Sequence, residues 1–188
     1  MKTDCLFLWF ALLILGGLVS PAAAQKDAIR LEETYLTALR SGDLDKLRLA
    51  LDKGASPNAR DQAGSTPLMH AAVYGDLACL KLLLKRGAEV NATNAAGATA
   101  LMRAACDYDK VRLLLEQGAD VQTRSALGNT ALILASRPAN SFPAVELLLE
   151  KGAQATDTNY FGATALMAAV AGGNEKTARL LIKKGADV

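Results

Sequence analysis

The dipeptide Gly-Ala closes a leucine-rich segment five times along this 188-residue chain, at Gly54-Ala55, Gly87-Ala88, Gly118-Ala119, Gly152-Ala153 and Gly185-Ala186, with spacings of 33, 31, 34 and 33. A period of that size marks a repeat architecture, in which each copy is one supersecondary unit that cannot bury its apolar face alone. Stability must then come from stacking copies in a row, each touching only its neighbours.

Local chemistry orders the elements within a copy. Thr66, Thr99, Thr130 and Thr164 stand where a hydroxyl caps a helix start, and Pro67 follows at the first helical position, where its missing N–H is not needed. The other copies place Ala100, Ala131 and Ala165 there. Ala71-Ala72 and Ala104-Ala105 let one helix lie close against the next. In the second helix Leu77, Leu80 and Leu84 recur at spacings of three and four, which predicts one shared buried face. Gly87, Gly118, Gly152 and Gly185 then stop that helix by taking the left-handed conformation that penalises other residues. Short polar stretches such as 91–97 reverse the chain, so each copy reads helix, tight turn, helix, hairpin.

The clearest copy is Asp61-Gln62-Ala63-Gly64-Ser65-Thr66-Pro67-Leu68-Met69-His70-Ala71-Ala72, continuing through Gly75-Asp76 to Leu82-Leu83-Leu84, Gly87-Ala88 and Val90-Asn91. It resembles an ankyrin repeat, whose D-x-x-G-x-T-P-L-H-x-A-A and L-L-L-x-x-G-A-D-V-N pattern recurs with drift from about Ile29 to Val188. The resemblance implies an all-α ankyrin-repeat solenoid of about five stacked helix-turn-helix repeats joined by β-hairpin loops. The copies are placed at about 29–60, 61–93, 94–124, 125–158 and 159–188, the first as an amino-terminal cap. A mean hydropathy of +0.16 supplies ample apolar material for a continuous core.

Two copies break the rhythm. In the third, Ala104-Ala105-Cys106 runs almost directly into Asp107, two residues short and without the turn glycine seen at Gly42 and Gly75. In the fourth, Arg137-Pro138-Ala139-Asn140-Ser141-Phe142-Pro143 replaces the turn with one extra residue, and each proline disfavours helix in the residue before it. A looped-out connector is expected there. It reads either as neutral drift or as an edge that shapes a partner site.

The amino terminus carries a different signal. Lys2 precedes the apolar run from Cys5 to Val19, followed by Ser20-Pro21-Ala22-Ala23-Ala24 and the polar Gln25-Lys26-Asp27. That is the order of a secretory signal peptide spanning 1–24, cleaved between Ala24 and Gln25. The run is shorter than the roughly 20 residues that span a bilayer, although retention as an uncleaved anchor is the alternative, since Asp4 weakens the basic flank. The domain at 25–188 is then expected in the periplasm or secreted, with no stable membrane insertion after cleavage.

Charge argues against nucleic acid as partner: the net charge is only +2, with acidic and basic residues interspersed. Chemistry is equally sparse. The single histidine, His70, falls one place after the family's histidine, whose position is held by Met69, Met102, Ile133 and Met167. Cys79 and Cys106 are separated, so no metal-ligand cluster, cofactor motif or nucleophile-base arrangement is visible. The expectation is a protein that is not an enzyme, with no cofactor and no metal. The alternative is a thiol-dependent redox protein or enzyme using Cys79, Cys106 and His70, and a disulfide between the two cysteines stays open.

Binding is better supported. The resemblance implies partner contacts at hairpin tips and at exposed ends of the first helices. The matching positions include Gln62, Ala63, Ser65, Leu127, Asn129, Tyr160 and Phe161 on the tips, and Arg40, Val73, Tyr74 and Arg137 at helix ends. Aromatics make up only 5% of the chain, so Tyr160-Phe161 on one tip is an unusual placement, suited to an interface anchor or to folding back on the neighbouring hairpin. The expectation is therefore a non-enzymatic, monomeric scaffold for a partner protein, and the resemblance implies a plan similar to periplasmic ankyrin proteins of stress defence or toxin neutralisation. A host-directed effector is a third option.

Overall fold

The computed structural model describes residues 35, 37–39 and 41–187. The predicted leader with its Ala24–Gln25 cleavage site, and Arg40, lie outside the described residues. Helical backbone at 35, 37–39 and 41 is followed by α1 (Leu44–Asp52), α2 (Pro67–Val73), α3 (Leu77–Lys85), α4 (Ala100–Arg103), α5 (Tyr108–Glu116), α6 (Ala131–Ser136), a 3-10 turn (Ala139–Ser141), α7 (Phe142–Glu150), α8 (Ala165–Ala171) and α9 (Glu175–Lys183).

These helices form two rows. The inner row α2, α4, α6 and α8 packs each helix on the next, the outer row α1, α3, α5, α7 and α9 does the same, and each inner helix lies against its own outer partner. Between the rows runs one elongated core of leucines and alanines, including Leu47, Leu68, Leu80, Leu101, Leu114, Leu132, Leu148 and Leu181. The architecture is an all-α solenoid of stacked helix pairs, as the resemblance implies.

Each inner helix starts as its threonine predicts: the Oγ1 atoms of Thr66, Thr99, Thr130 and Thr164 accept from the amides of Met69, Met102, Ile133 and Met167 at 3.4, 3.3, 3.4 and 3.1 Å. Three of the outer helices, α1, α3 and α5, are capped in the same way by a carboxylate, with Asp43, Asp76 and Asp107 accepting from the amides three residues on, whereas α7 and α9 have no side-chain cap. The stop glycines also behave as expected, with φ of 85°, 84°, 95° and 90° at Gly87, Gly118, Gly152 and Gly185. The carbonyls of three of these glycines accept from the preceding repeat, where Asn58, Asn91 and Gln122 donate to Gly87, Gly118 and Gly152.

Three expectations need correction. The buried face of α3 is Cys79, Leu80 and Leu83, while Leu77 and Leu84 are only half-buried. The hairpins do not form β-ladders, since the described residues contain one isolated bridge, Thr158 to Thr164. Their turns are closed instead by side chains that accept from turn amides. The connector after α6 is not looped out either. Arg137 and Phe142 both take right-handed helical backbone before their prolines, Pro143 sits in the first turn of α7, and Ser141 is buried. There the Ser141 hydroxyl donates to the carbonyls of Ala135 and Pro138, and Asn174 from the next repeat donates to Pro138 at 3.0 Å.

Candidate partner-binding surface

Every hairpin opens on a polar side chain that folds its own turn. Asp61 Oδ1 accepts from the amides of Ala63 and Ser65 at 2.9 and 2.8 Å, and Asn94 and Asn159 repeat this with Ala96 and Ala98, and with Phe161 and Ala163. Ser125 does so through its hydroxyl, to Leu127 and Asn129. Neighbouring tips are then tied together, since the amides of Ala95, Ala126 and Tyr160 donate to the carbonyls of Ala63, Ala96 and Leu127 at 2.9, 2.8 and 3.1 Å. Arg60 and Arg124 fasten the hairpin bases by donating to the carbonyls of Thr93 and Thr158, both at 2.7 Å. The result is a row of tips with a backbone held from both sides.

Onto this row the chain places few charges. Gln62, Ala63, Ala95, Ala96, Ala126, Leu127, Tyr160 and Phe161 are exposed, and together they make a surface that becomes more apolar and aromatic toward the last repeat. Tyr160 combines both sequence readings, because its ring leans over Gly128 of the preceding hairpin, where a Cβ would come within 2.9 Å of it, yet it stays exposed. Phe161 projects freely. Val73, Tyr74 and Arg137 are exposed at the inner helices.

Two proposed contact residues are displaced from this surface. Ser65 is buried, and its hydroxyl accepts from the Asn94 side chain of the next hairpin at 3.2 Å. Asn129 is half-buried and accepts from Asn159 at 2.8 Å. Both are stacking residues. Their spacing of about one repeat from a hairpin-opening asparagine was visible in the sequence, but not that the two side chains would meet. Sequence reasoning also missed Leu134, an exposed leucine on the inner helix α6.

The thiol alternative fares differently. Cys79 and Cys106 are both free, the first buried and the second exposed. Burial, together with Asp76, pushes the Cys79 thiol up to about 11, and burial with Asp107 raises Cys106. Raised values leave little of the thiolate that nucleophilic chemistry needs. His70 is engaged elsewhere, its Nε2 lying 2.9 Å from Asp61 Oδ2. Burial would raise the Asp61 carboxyl, but the amides of Ser65 and Ala63 and the imidazole of His70 outweigh it and hold it below its ordinary value. Among the described residues no group of three or more His, Cys, Asp or Glu could hold a metal ion, and no helix is long and apolar enough to cross a membrane.

No curated protein matches the chain. A family model described as ankyrin repeats (3 copies) matches it over residues 35–125 and again over 111–188. With that match and the paired rows of capped helices, the chain belongs to the ankyrin-repeat family, whose stacked repeats mediate protein binding.

Proposed function

We propose that this is an exported, non-enzymatic scaffold that grips a partner protein with its hairpin tips and the concave side formed by its inner helices. The main support is the exposure of Leu127, Tyr160 and Phe161 on turns whose backbone is already fixed. Large aromatic side chains on a pre-organised backbone lose little freedom on binding and commonly anchor interfaces. Gln62, Val73, Tyr74 and Arg137 extend the same surface.

The test is capture of partners by the immobilised protein from an exported fraction, compared with the Tyr160→Ser, Phe161→Ser double variant. Loss of a partner in the variant, with helical circular dichroism unchanged, is expected. Recovery of the same partner at equal yield by both proteins overturns the assignment. Export rests on the leader at 1–24, and fractionation of cells tests it. A role in stress defence or toxin neutralisation rests on family resemblance, and survival of a deletion strain under peroxide or toxin challenge tests it.

A further inference from the structure

The inner row is one-sided in charge. α2, α4, α6 and α8 contain no aspartate or glutamate, and the carboxylates that flank them are engaged within the chain. Asp61 is held by His70 and its own turn amides, Asp76 caps α3, Asp107 caps α5 and lies 3.6 Å from Lys110, and Asp157 pairs with Arg124. The arginines divide differently. Arg86, Arg112 and Arg179 of the outer row are each paired with a carboxylate, and Arg60 and Arg124 donate to hairpin carbonyls. Arg103 on α4 and Arg137 at the end of α6 are exposed and have no ion-pair or hydrogen-bond partner for their guanidinium among the described residues.

Repeat register brings these two side chains together. Arg103 is the fourth residue after its capping Thr99, the position that Leu134 holds after Thr130, and Arg137 follows Leu134 by three. α4 packs against α6, and both have a further inner helix on their other side, so what they expose is groove floor. Packed helices lie about 8–10 Å apart and three residues rise about 4.5 Å, so the two arginines leave that floor roughly 10 Å from one another. The exposed Leu134 lies between them, and Val73 and Tyr74 continue the apolar surface at the end of α2.

A partner segment that covers Leu134 also takes water from both guanidiniums. An apolar or basic segment would leave them buried without a counter-charge, which is strongly unfavourable. Carboxylates would accept from them in the two-pronged geometry that suits a guanidinium. The separation of the two arginines argues against a single phosphate group, which needs donors that converge, and two charges are few for the phosphate backbone of a nucleic acid.

We propose that the bound segment of the partner protein is acidic and apolar together, setting one carboxylate on Arg103, another on Arg137 and an apolar side chain on Leu134. This rests on the reading of the inner surface as a protein-binding one and adds the chemistry of what it holds.

Selection of phage-displayed random dodecapeptides on the immobilised full chain tests it, with the enriched peptides then measured by fluorescence anisotropy. Enriched sequences are expected to carry paired Asp or Glu residues around Leu, Ile or Phe. Arg103→Gln and Arg137→Gln should each raise the dissociation constant at least about 10-fold, whereas Arg48→Gln, an equal loss of charge at an exposed site on the outer helix α1, should leave it unchanged. Arg137→Glu should shift preference to the same peptide with Lys in place of one carboxylate, a reversal that a misfolded variant would not produce. On the wild-type protein, raising salt from about 50 mM to about 500 mM should weaken binding about 10-fold or more. Binding that ignores both arginine variants overturns the inference. If those peptides are neutral and are lost in the Tyr160→Ser, Phe161→Ser variant, the surface still binds protein and only the acidic partner is wrong. No enrichment of any peptide, or an oligothymidylate bound more tightly than every peptide, would overturn both readings.

Discussion

The ammonium of Lys110 donates to the carbonyl of Ala72, one repeat upstream, at 3.2 Å, and lies 3.6 Å from Asp107. This contact occurs where the third copy is short: α4 spans only Ala100–Arg103, and its turn has lost two residues. The long side chain fills the position that holds Cys79, Ala144 and Thr177 in other repeats, and its charge meets a carbonyl at the end of α2. Lys110→Ala should therefore destabilise the protein by about 1–2 kcal/mol, through an unsatisfied carbonyl and lost packing. Urea denaturation measures this, and a Lys110→Met midpoint equal to wild type would assign the whole effect to the aliphatic stem.

Gly172 is held by space rather than by backbone conformation. A Cβ there would lie 1.8 Å from the carbonyl oxygen of Arg137, a backbone atom in the tightened connector. Gly172→Ala should cost about 2–3 kcal/mol by forcing the last two repeats apart. Thermal unfolding and faster hydrogen exchange across α8 and α9 would register it, and an unchanged midpoint would show that the junction can give.

Thr99 caps the shortest helix. Replacement by Ala removes the acceptor for the Met102 amide, which is buried, and should cost about 1–2 kcal/mol. A denaturation midpoint that does not move counts against the cap.

Asp61 links its hairpin to α2 through His70. Its folded-state pKa is depressed, so its stabilising contribution is fully present above the unfolded carboxylate value near ~4 and is lost as pH falls through the lower folded value. Asp61→Asn keeps the acceptor that Asn94 and Asn159 use in the same place, but not the charge. The variant should be less stable by about 0.5–1 kcal/mol at neutral pH, and the two stability curves should converge in acid. A constant difference down to low pH would place the effect in packing.

The two thiols should separate in a labelling experiment. Cys106 is exposed and Cys79 buried, and both have raised values, Cys79 up to about 11. Cys106 is expected to react slowly at neutral pH and faster as pH rises, and Cys79 only on unfolding. Rapid modification of Cys79 in the folded protein would revive a thiol-based activity.

What the chain announces by itself is whatever is local or periodic. The five Gly-Ala stops, the four capping threonines and the helix-turn-helix order depend on residues three or four apart, and their recurrence determined the solenoid. Only the folded stack decided which side chains stay at the surface, because their neighbours lie about a repeat away. Ser65 and Asn129 look like tip residues until Asn94 and Asn159 reach back to them. The proline-rich connector looks open until Ser141 and Asn174 close it. Met167 looks like Met69 and Met102, yet it is uncovered, since burial in a stack belongs to the pair of repeats that meet and not to either sequence alone.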